Sequence, residues 1–184
     1  MILPKRSLQF LLPAVLLLTA CGSDDDPQPQ PQPQPGTDVV AAPMVLQDIK
    51  VNTVLEDRNT DPAKPDYLVN SNIRVMAELT VKPGVVIAFE QDTRLDLNTD
   101  GKIIAVGTAD KKIRFIGKTA QKGFWAGITI YSNSSANQFA YAEFLHAGSK
   151  AMLDATKTTI ALFETARVSV TNCTISESGG YGIY

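Results

Sequence analysis

The stretch Val168-Ser169-Val170-Thr171-Asn172-Cys173-Thr174-Ile175-Ser176 decides the fold prediction, because it holds two short β-type runs that meet at a bend. Val168 and Val170 alternate with polar residues. The alternation resumes at Cys173 and Ile175, but it is shifted by one residue, from even-numbered to odd-numbered positions. A tight turn at Asn172 explains this shift, because asparagine tolerates the left-handed backbone conformation better than most residues. We therefore predict two strands joined by a corner, where the amide can align with stacked neighbours.

The same pattern recurs along the chain in two registers, a longer one in the C-terminal part and a shorter one before it. Short apolar runs at 73–81, 85–89, 95–97, 102–106, 113–116 and 127–131 are separated by turn residues. Phe139, Ala142, Phe144, Gly148, Ala151 and Met152 recur 31 residues later as Val170, Cys173, Ile175, Gly179, Gly182 and Ile183; Leu79 and Val81 recur at 24 as Ile103 and Ala105; Ile87 and Phe89 recur at 26 as Ile113 and Phe115; and Ala151 follows Gly127 at 24. This repetition predicts a solenoid of stacked β-coils.

The repeated segments resemble those of one family. The opening stretch, continued by Gly179-Gly180-Tyr181-Gly182-Ile183-Tyr184, resembles a coil of the right-handed parallel β-helix repeat family, the pectate-lyase-like fold. Residues 79–87, Gly107-Thr108-Ala109-Asp110 and Trp125-Ala126-Gly127-Ile128 resemble the first coils of secreted bacterial β-helix proteins. The resemblance covers residues 67–184 and implies an all-β, right-handed parallel β-helix. A β-sandwich is the alternative, although it does not require a coil-length repeat.

Residues 1–20 have the features of an export signal. Lys5 and Arg6 precede an apolar run at 8–18, which is typical of a secretory signal and shorter than the roughly 20 apolar residues of a membrane span. Leu18-Thr19-Ala20-Cys21 resembles the lipobox of a bacterial lipoprotein precursor, which implies cleavage before Cys21 and acyl chains on that cysteine. Several acyl chains anchor a protein firmly, at about 0.8 kcal/mol per buried methylene. A plain signal peptide with an incidental cysteine is the alternative.

Residues 21–37 are predicted to connect the lipid anchor to the folded domain. Asp24-Asp25-Asp26 resembles the surface-export signal of some bacterial lipoproteins, which implies the outer membrane and favours its cell-surface side over the periplasmic side. A solvated spacer is the other interpretation of these charges. The alternating prolines and glutamines of 27–35 favour polyproline II, a semi-rigid spacer of about 3.1 Å per residue.

The charge balance argues against a nucleic-acid partner. Loss of residues 1–20 removes Lys5 and Arg6, so 15 basic side chains remain against 19 acidic ones, a net charge of −4. No cluster of lysine and arginine alternates with aromatic residues, as phosphate neutralisation and base stacking require. With Cys21 committed to lipid, Cys173 is left single, and no disulfide is predicted.

The two ends of the predicted β-helix carry separate expectations. Residues 38–66 are expected to form an N-terminal cap or linker, because an open solenoid end exposes strand edges. At the other end, Tyr184 stops within a coil. We expect either that the chain is a fragment of a longer protein or that this end takes part in end-to-end self-association.

No catalytic residue, metal site or cofactor is predicted. Residues 96–101 match the start of an EF-hand calcium loop, but the twelfth position is Gly107 instead of a glutamate, so a polar turn is expected. His146 is the only histidine in the chain. We expect it to lie in a turn, exposed or locally hydrogen-bonded, and not to act as a catalytic base.

Trp125 and Tyr131 are the candidate ligand-binding residues, because aromatic rings stack on sugars. Packing inside a core or turn is the alternative for Trp125, at a position where the resembling family often carries tryptophan. Asp92, Arg94 and Asp96 alternate along one predicted strand face, which is the nearest approach to the charged clusters of β-helix enzymes. Any exposed strand also uses alternating charges for solubility.

Together these features predict a lipid-anchored bacterial envelope protein whose β-helix is a non-catalytic binding or adhesion surface. Its expected partners, besides the membrane, are polysaccharide or a neighbouring envelope protein. The alternative is a polysaccharide lyase or glycoside hydrolase with its active coils beyond Tyr184, and a third possibility is a structural element without a ligand.

Overall fold

The computed structural model describes residues 41–153 and 156–184. All regular secondary structure within these residues is β-strand. The predicted export signal, Cys21 and the tether lie outside the described residues. In chain order the strands are β1 (Met44–Val45), β2 (Thr53–Leu55), β3 (Tyr67–Val69), β4 (Ile73–Val75), β5 (Glu78–Val81), β6 (Val86–Phe89), β7 (Arg94–Leu97), β8 (Lys102–Val106), β9 (Ile113–Gly117), β10 (Gly127–Ile130), β11 (Gln138–Ala140), β12 (Ala142–Leu145), β13 (Ala151–Leu153), β14 (Thr156–Leu162), β15 (Ser169–Thr171), β16 (Thr174–Ser176) and β17 (Tyr181–Ile183).

The strands form three sheets that the chain visits in a fixed order. Sheet 1 is β1-β3-β6-β9-β12-β16, sheet 2 is β4-β7-β10-β14-β17, and sheet 3 is β2-β5-β8-β11-β15; all these neighbours are parallel. From β3 onward the chain runs through sheets 1, 2 and 3 and then returns to sheet 1. Each circuit therefore adds one strand to each sheet. The all-β prediction is confirmed for the described residues, and the arrangement is compatible with a parallel solenoid.

Rows of apolar side chains run across the sheets and form a single core. In sheet 1, Ile87 pairs with Phe115 and Phe115 pairs with Phe144, so like side chains lie one above another. The rings of Phe115 and Phe144 stack with centroids 4.9 Å apart, and Phe139 of sheet 3 meets both edge-on. All four side chains are fully buried. Strand alternation explains this core, because every second residue points inward from each of the three sheets.

The predicted repeats at 24 and 31 residues are confirmed where both segments are strands. Leu79 pairs with Ile103, and Val81 pairs with Ala105, at the spacing of 24. Phe139 pairs with Val170 and Phe144 with Ile175 at 31.

The predicted spacing of 26 is wrong. Ile87 pairs with Phe115 and Phe89 with Gly117, so the observed spacing is 28. A shift of two residues leaves the same side chains facing inward, so the alternation of apolar residues does not distinguish the two registers.

The predicted repeats that include Ala151 and Met152 are wrong, because a short antiparallel strand is inserted there. Strand β13 pairs with the start of β14 in the antiparallel direction, whereas Ile160 of β14 pairs with Ile128 and with Ile183. The partner of Ile183 is therefore Ile160 rather than Met152, and the spacing of 24 between Gly127 and Ala151 does not correspond to a strand pair. The extra strand adds residues to one circuit without changing which face is buried.

Two strands lie within residues 38–66, which were expected to form a cap or linker. Strand β1 pairs with β3 and strand β2 pairs with β5, and Ile49 forms an isolated bridge with Val75. Among the described residues, pairing thus begins at Met44, before the predicted start of the β-helix at Tyr67. The predicted run 73–81 is likewise divided into β4 and β5, which belong to different sheets.

The corner predicted at Asn172 has the expected backbone conformation, with φ of 53°. Its amide ladder is not formed, because the neighbouring circuit places Tyr141 at the corresponding corner, also at positive φ. A buried amide instead links three circuits at another corner, before sheet 3. The Asn137 carboxamide accepts from the Ile103 N–H (3.1 Å) and donates to the carbonyls of Ser132 (3.3 Å) and Arg167 (3.0 Å).

Replacement of this amide is expected to destabilise the stack. Asn137→Ala leaves one backbone N–H and two carbonyls without their partner in a site that is 1% exposed, which should cost about 2–4 kcal/mol of unfolding free energy. Urea denaturation measures the change, and Asn72→Ala at an exposed asparagine is the matched control. Equal stability of the two variants would show that the amide does not hold the circuits together.

Gly101 is a second position where the circuits approach closely. A Cβ atom there would lie 2.1 Å from the Val75 carbonyl oxygen of the circuit before it, so backbone has to move. We expect Gly101→Ala to lower the free energy of unfolding by about 1–3 kcal/mol. At Gly182 the nearest atoms to an added Cβ are those of the Ile175 side chain, at 3.5 Å or more. Thermal melting should therefore show Gly182→Ala close to the parent, and an equal loss in both variants would contradict the close approach.

Candidate functional site

Trp125, a predicted sugar-binding residue, is fully buried. Its ring stacks on Phe89 with centroids 3.9 Å apart and planes 16° from parallel, and its indole N–H donates to the Leu145 carbonyl at 2.8 Å. Neither face of the ring is open to a ligand. The expectation of a ligand-binding Trp125 is therefore corrected: the residue belongs to the core, because an indole with an internal acceptor can bury its whole area without an unpaired donor.

Tyr131, the other predicted binding residue, lies just after β10 and is 41% exposed. Its ring stacks on Phe163 with centroids 4.3 Å apart, so the two side chains form an aromatic pair at the surface. Trp125 does not belong to this surface, and the two predicted residues do not form one site. The role of Tyr131 in ligand binding stays a prediction.

The charged residues of β7 and its flank are engaged in ion pairs. Arg94 Nε lies 2.9 Å from the Asp96 carboxylate, which also accepts from the Thr129 hydroxyl, and Lys150 pairs with Asp92 at 3.4 Å. Asp96 is buried on β7 of sheet 2, where both of these contacts occupy its carboxylate. These contacts favour the structural interpretation of the charges.

His146 lies at the corner between sheets 1 and 2 in the left-handed conformation, with φ of 67°. Its backbone N–H donates to the Ser176 carbonyl (3.2 Å), and its Nδ1 is buried without a hydrogen-bond partner in the described part of the chain. Burial lowers the pKa of the imidazole, the negative charge of Glu177 acts in the opposite direction, and Arg114 adds to the lowering. The neutral ring of a turn histidine is thus favoured.

Cys173 is partly buried against the core and has no disulfide partner among the described residues. Its thiol donates toward the carbonyls of Thr171 (3.3 Å) and Phe139 (3.5 Å). Burial raises the pKa of this thiol, which favours the uncharged form. The cysteine therefore acts as a small packing residue.

A concave site among the described residues was not predicted from the sequence. It lies where successive circuits pass from sheet 3 to sheet 1, through connections 56–66, 82–85 and 107–112. The middle connection is the shortest, so a gap opens between the longer loops on either side. We call this gap, of about 660 Å³, the corner cleft; it is lined by Asp57, Arg58, Asn59, Thr60, Pro62, Gly84, Ala109, Asp110, Lys111, Lys112 and Arg114.

The corner cleft carries more cations than carboxylates. Its lining includes four basic side chains, Arg58, Lys111, Lys112 and Arg114, against Asp57 and Asp110. The excess of cations is local, because the chain as a whole has a negative net charge. A positive concavity on an acidic protein concentrates anions near it.

Ion pairs hold the cleft side chains in defined positions. Lys111 Nζ lies 3.2 Å from Asp57, which joins the last loop to the first across the middle turn. At the other wall, Glu143 of β12 accepts a hydrogen bond from Lys112 (2.9 Å) and forms an ion pair with Arg114, whose Nε lies 3.3 Å from the carboxylate. Two positive charges therefore share one carboxylate.

Buried polar groups fix the long first loop. The Asp66 carboxylate is 1% exposed and accepts from the backbone N–H groups of Arg58 (2.8 Å) and Val86 (2.7 Å). The Arg58 guanidinium donates to the carbonyls of Ala42 and Asp66, both at 3.1 Å, and lies 5.9 Å from the Tyr67 ring centroid. The cleft wall is therefore preformed, as binding sites usually are.

The sequence carries one signal for this site. The polar residues at 57–62 belong to a longer connection than the turn residues at 107–110, although the two connections lie at the same corner. Since Asp57 and Lys111 are 54 residues apart, only the stacking of the circuits brings them together.

The comparisons with known proteins gave no match: no family model, curated protein or solved structure is significantly similar to this chain. No helix in residues 41–153 and 156–184 has the length and apolar character to cross a membrane. Within the same ranges, no group of three or more His, Cys, Asp and Glu residues is arranged to hold a metal ion.

Proposed function

We propose that this chain is a lipid-anchored protein of the bacterial outer membrane whose right-handed parallel β-helix is a non-catalytic binding surface for polysaccharide. The lipobox-like segment ending at Cys21 supports the anchor, and the composition of the proline-glutamine stretch supports a spacer between the anchor and the domain. The acidic run at 24–26 favours display on the cell surface.

Strand connectivity supports the β-helix. Three parallel sheets receive one strand each per circuit, which is the order of a solenoid. Crossovers between parallel strands of one sheet are right-handed in about 98% of cases, because of the twist of the strands. The right hand is therefore the one we propose.

The corner cleft is the observation that carries the binding function. It is open, it is preformed by buried hydrogen bonds, and its four basic side chains have fixed partners, which suits recognition of a polar polymer. The described residues supply no preassembled catalytic set comparable to this cleft, and we therefore favour a binder over a polysaccharide lyase or hydrolase.

A binding and turnover assay on the full chain tests this function. The protein is run through native gels that contain one polysaccharide each, neutral or charged, and the same polymers are assayed for new chain ends after incubation. We expect retarded migration in at least one polymer with no shortening of it. Shortening would favour the enzyme alternative, and free migration in every polymer would favour a structural element without a glycan ligand.

A further inference from the structure

We propose that the corner cleft binds the oxyanion of a charged glycan, a sugar carboxylate or sulfate, through Lys112 and Arg114. This inference rests on the proposed function and names the ligand class and the residues that select it. Carboxylate and sulfate present the same chemistry, an oxygen anion that accepts hydrogen bonds from cationic donors.

The charges at one wall of the cleft favour an anionic ligand. Lys112 and Arg114 share Glu143 as their ion-pair partner, so the three side chains carry one net positive charge. The other lysine of the cleft, Lys111, has its own carboxylate in Asp57. An incoming oxyanion therefore neutralises the charge that remains at the Lys112 and Arg114 wall.

The Arg114 guanidinium is preorganised for such a ligand. Arg114 donates to the Pro62 carbonyl at 3.0 Å and contacts Glu143 through Nε, and its side chain is only 29% exposed. A guanidinium held in this way loses little conformational freedom when it binds an anion. Arginine also presents a planar fork of donors, which matches the geometry of carboxylate oxygens.

The cleft also has room for sugar units. Gly84, in the turn at 82–85, lines the cleft; it has no side chain and a positive φ of 91°. A Cβ at Gly84 would lie 2.5 Å from the Asp57 carboxylate, so a larger residue would displace that group. The volume of about 660 Å³ lies well inside the range of about 300–1,000 Å³ for small-molecule sites.

Three polymers with one backbone provide the test. The full chain is titrated with dextran, carboxymethyl dextran and dextran sulfate at low and high salt. We expect at least one charged dextran to bind about tenfold more tightly than dextran and to lose that advantage at high salt. The two charged polymers distinguish a carboxylate from a sulfate ligand.

Two double variants assign the binding to the cleft. Lys112→Gln with Arg114→Gln should weaken binding of the charged polymer about tenfold, since both cations contact the ligand. Lys118→Gln with Lys150→Gln removes two ion-paired cations outside the cleft lining and should leave the affinity within about twofold. Because the Lys112 side chain is 42% exposed, Lys112→Gln alone should keep the fold and still weaken binding if the double variant unfolds.

Each contrary outcome has a separate meaning. Equal affinity for dextran and the charged dextrans, or unchanged affinity in the cleft variants, would overturn the oxyanion site and leave polysaccharide binding in place. Tighter binding of polyglutamate than of either charged dextran would show an acidic protein partner instead. Absence of binding to the charged dextrans with binding to a neutral polymer overturns this inference alone, whereas absence of binding to every polysaccharide overturns the proposed function as well.

Discussion

Trp125→Ala is expected to lower the free energy of unfolding by about 3–5 kcal/mol, the usual cost of removing a fully buried tryptophan. The loss has two sources: the cavity left beside Phe89, whose ring lies 3.9 Å from the indole, and the Leu145 carbonyl, which loses its donor. For a domain of this size the melting temperature should fall by about 10 °C. Thermal and urea denaturation followed by circular dichroism measure both quantities.

The matched control is Tyr131→Ala. Tyr131 was predicted for the same ligand-binding role, but it is 41% exposed and touches Phe163 at the surface, so its removal should cost about 1 kcal/mol or less. Loss of polysaccharide binding in Trp125→Ala at an unchanged melting temperature would contradict the core position of this ring. Loss of binding in Tyr131→Ala alone would add the surface pair to the binding site.

Cys21→Ser should move the protein from the membrane fraction to the soluble fraction. Without the thiol no thioether to diacylglycerol forms, and the hydrophobic anchoring energy of about 0.8 kcal/mol per methylene is lost with the acyl chains. Fractionation of cells that express the full chain, followed by immunoblotting, measures this redistribution. We expect a nearly complete change.

Cys173→Ser is the control for this experiment, because it removes the chain's other cysteine. Its thiol is partly buried in the domain and makes only weak contacts with two carbonyls, so this variant should stay at the membrane. Membrane association of Cys21→Ser at the parental level would contradict the lipid anchor.

The strands and their burial could be predicted because the chemistry that sets them is local. Alternation of apolar residues in β8 and β9 appears in the sequence as the buried and exposed sides of the strands. The left-handed corner at Asn172 was likewise predictable, since a phase shift and an asparagine occur together. The pairing of Leu79 with Ile103 followed from the repeat of their pattern.

Register and insertions were less predictable, because alternation has a period of two. The sequence allows Ile87 to pair with Ile113 or with Phe115, since both side chains point inward, and only packing selects Phe115. The antiparallel strand β13 is equally consistent with a further coil when read as sequence. Its antiparallel pairing with the start of β14 is not indicated by the apolar pattern alone.

The candidate site was the least predictable part. A tryptophan is written the same way in the sequence whether its ring stacks on a sugar or on Phe89. Only its surroundings in the folded protein distinguish the two roles. The corner cleft depends on the relative lengths of three loops and on contacts such as Lys111 with Asp57, which stacking brings together. Comparing connection lengths at each corner of a predicted solenoid would have found it.

The lipid anchor is the central claim of the account, since both localisation and display of the cleft depend on it, and one mass tests it directly. Trypsin should release residues 21–50 as the first peptide of the mature protein, because Lys50 is the first basic residue after Cys21. Mass spectrometry of native protein from the membrane fraction should find this peptide starting at Cys21 with the added mass of a diacylglyceryl group and a further acyl chain. A first peptide with an unmodified Cys21, or one that starts at another residue, would contradict the claim.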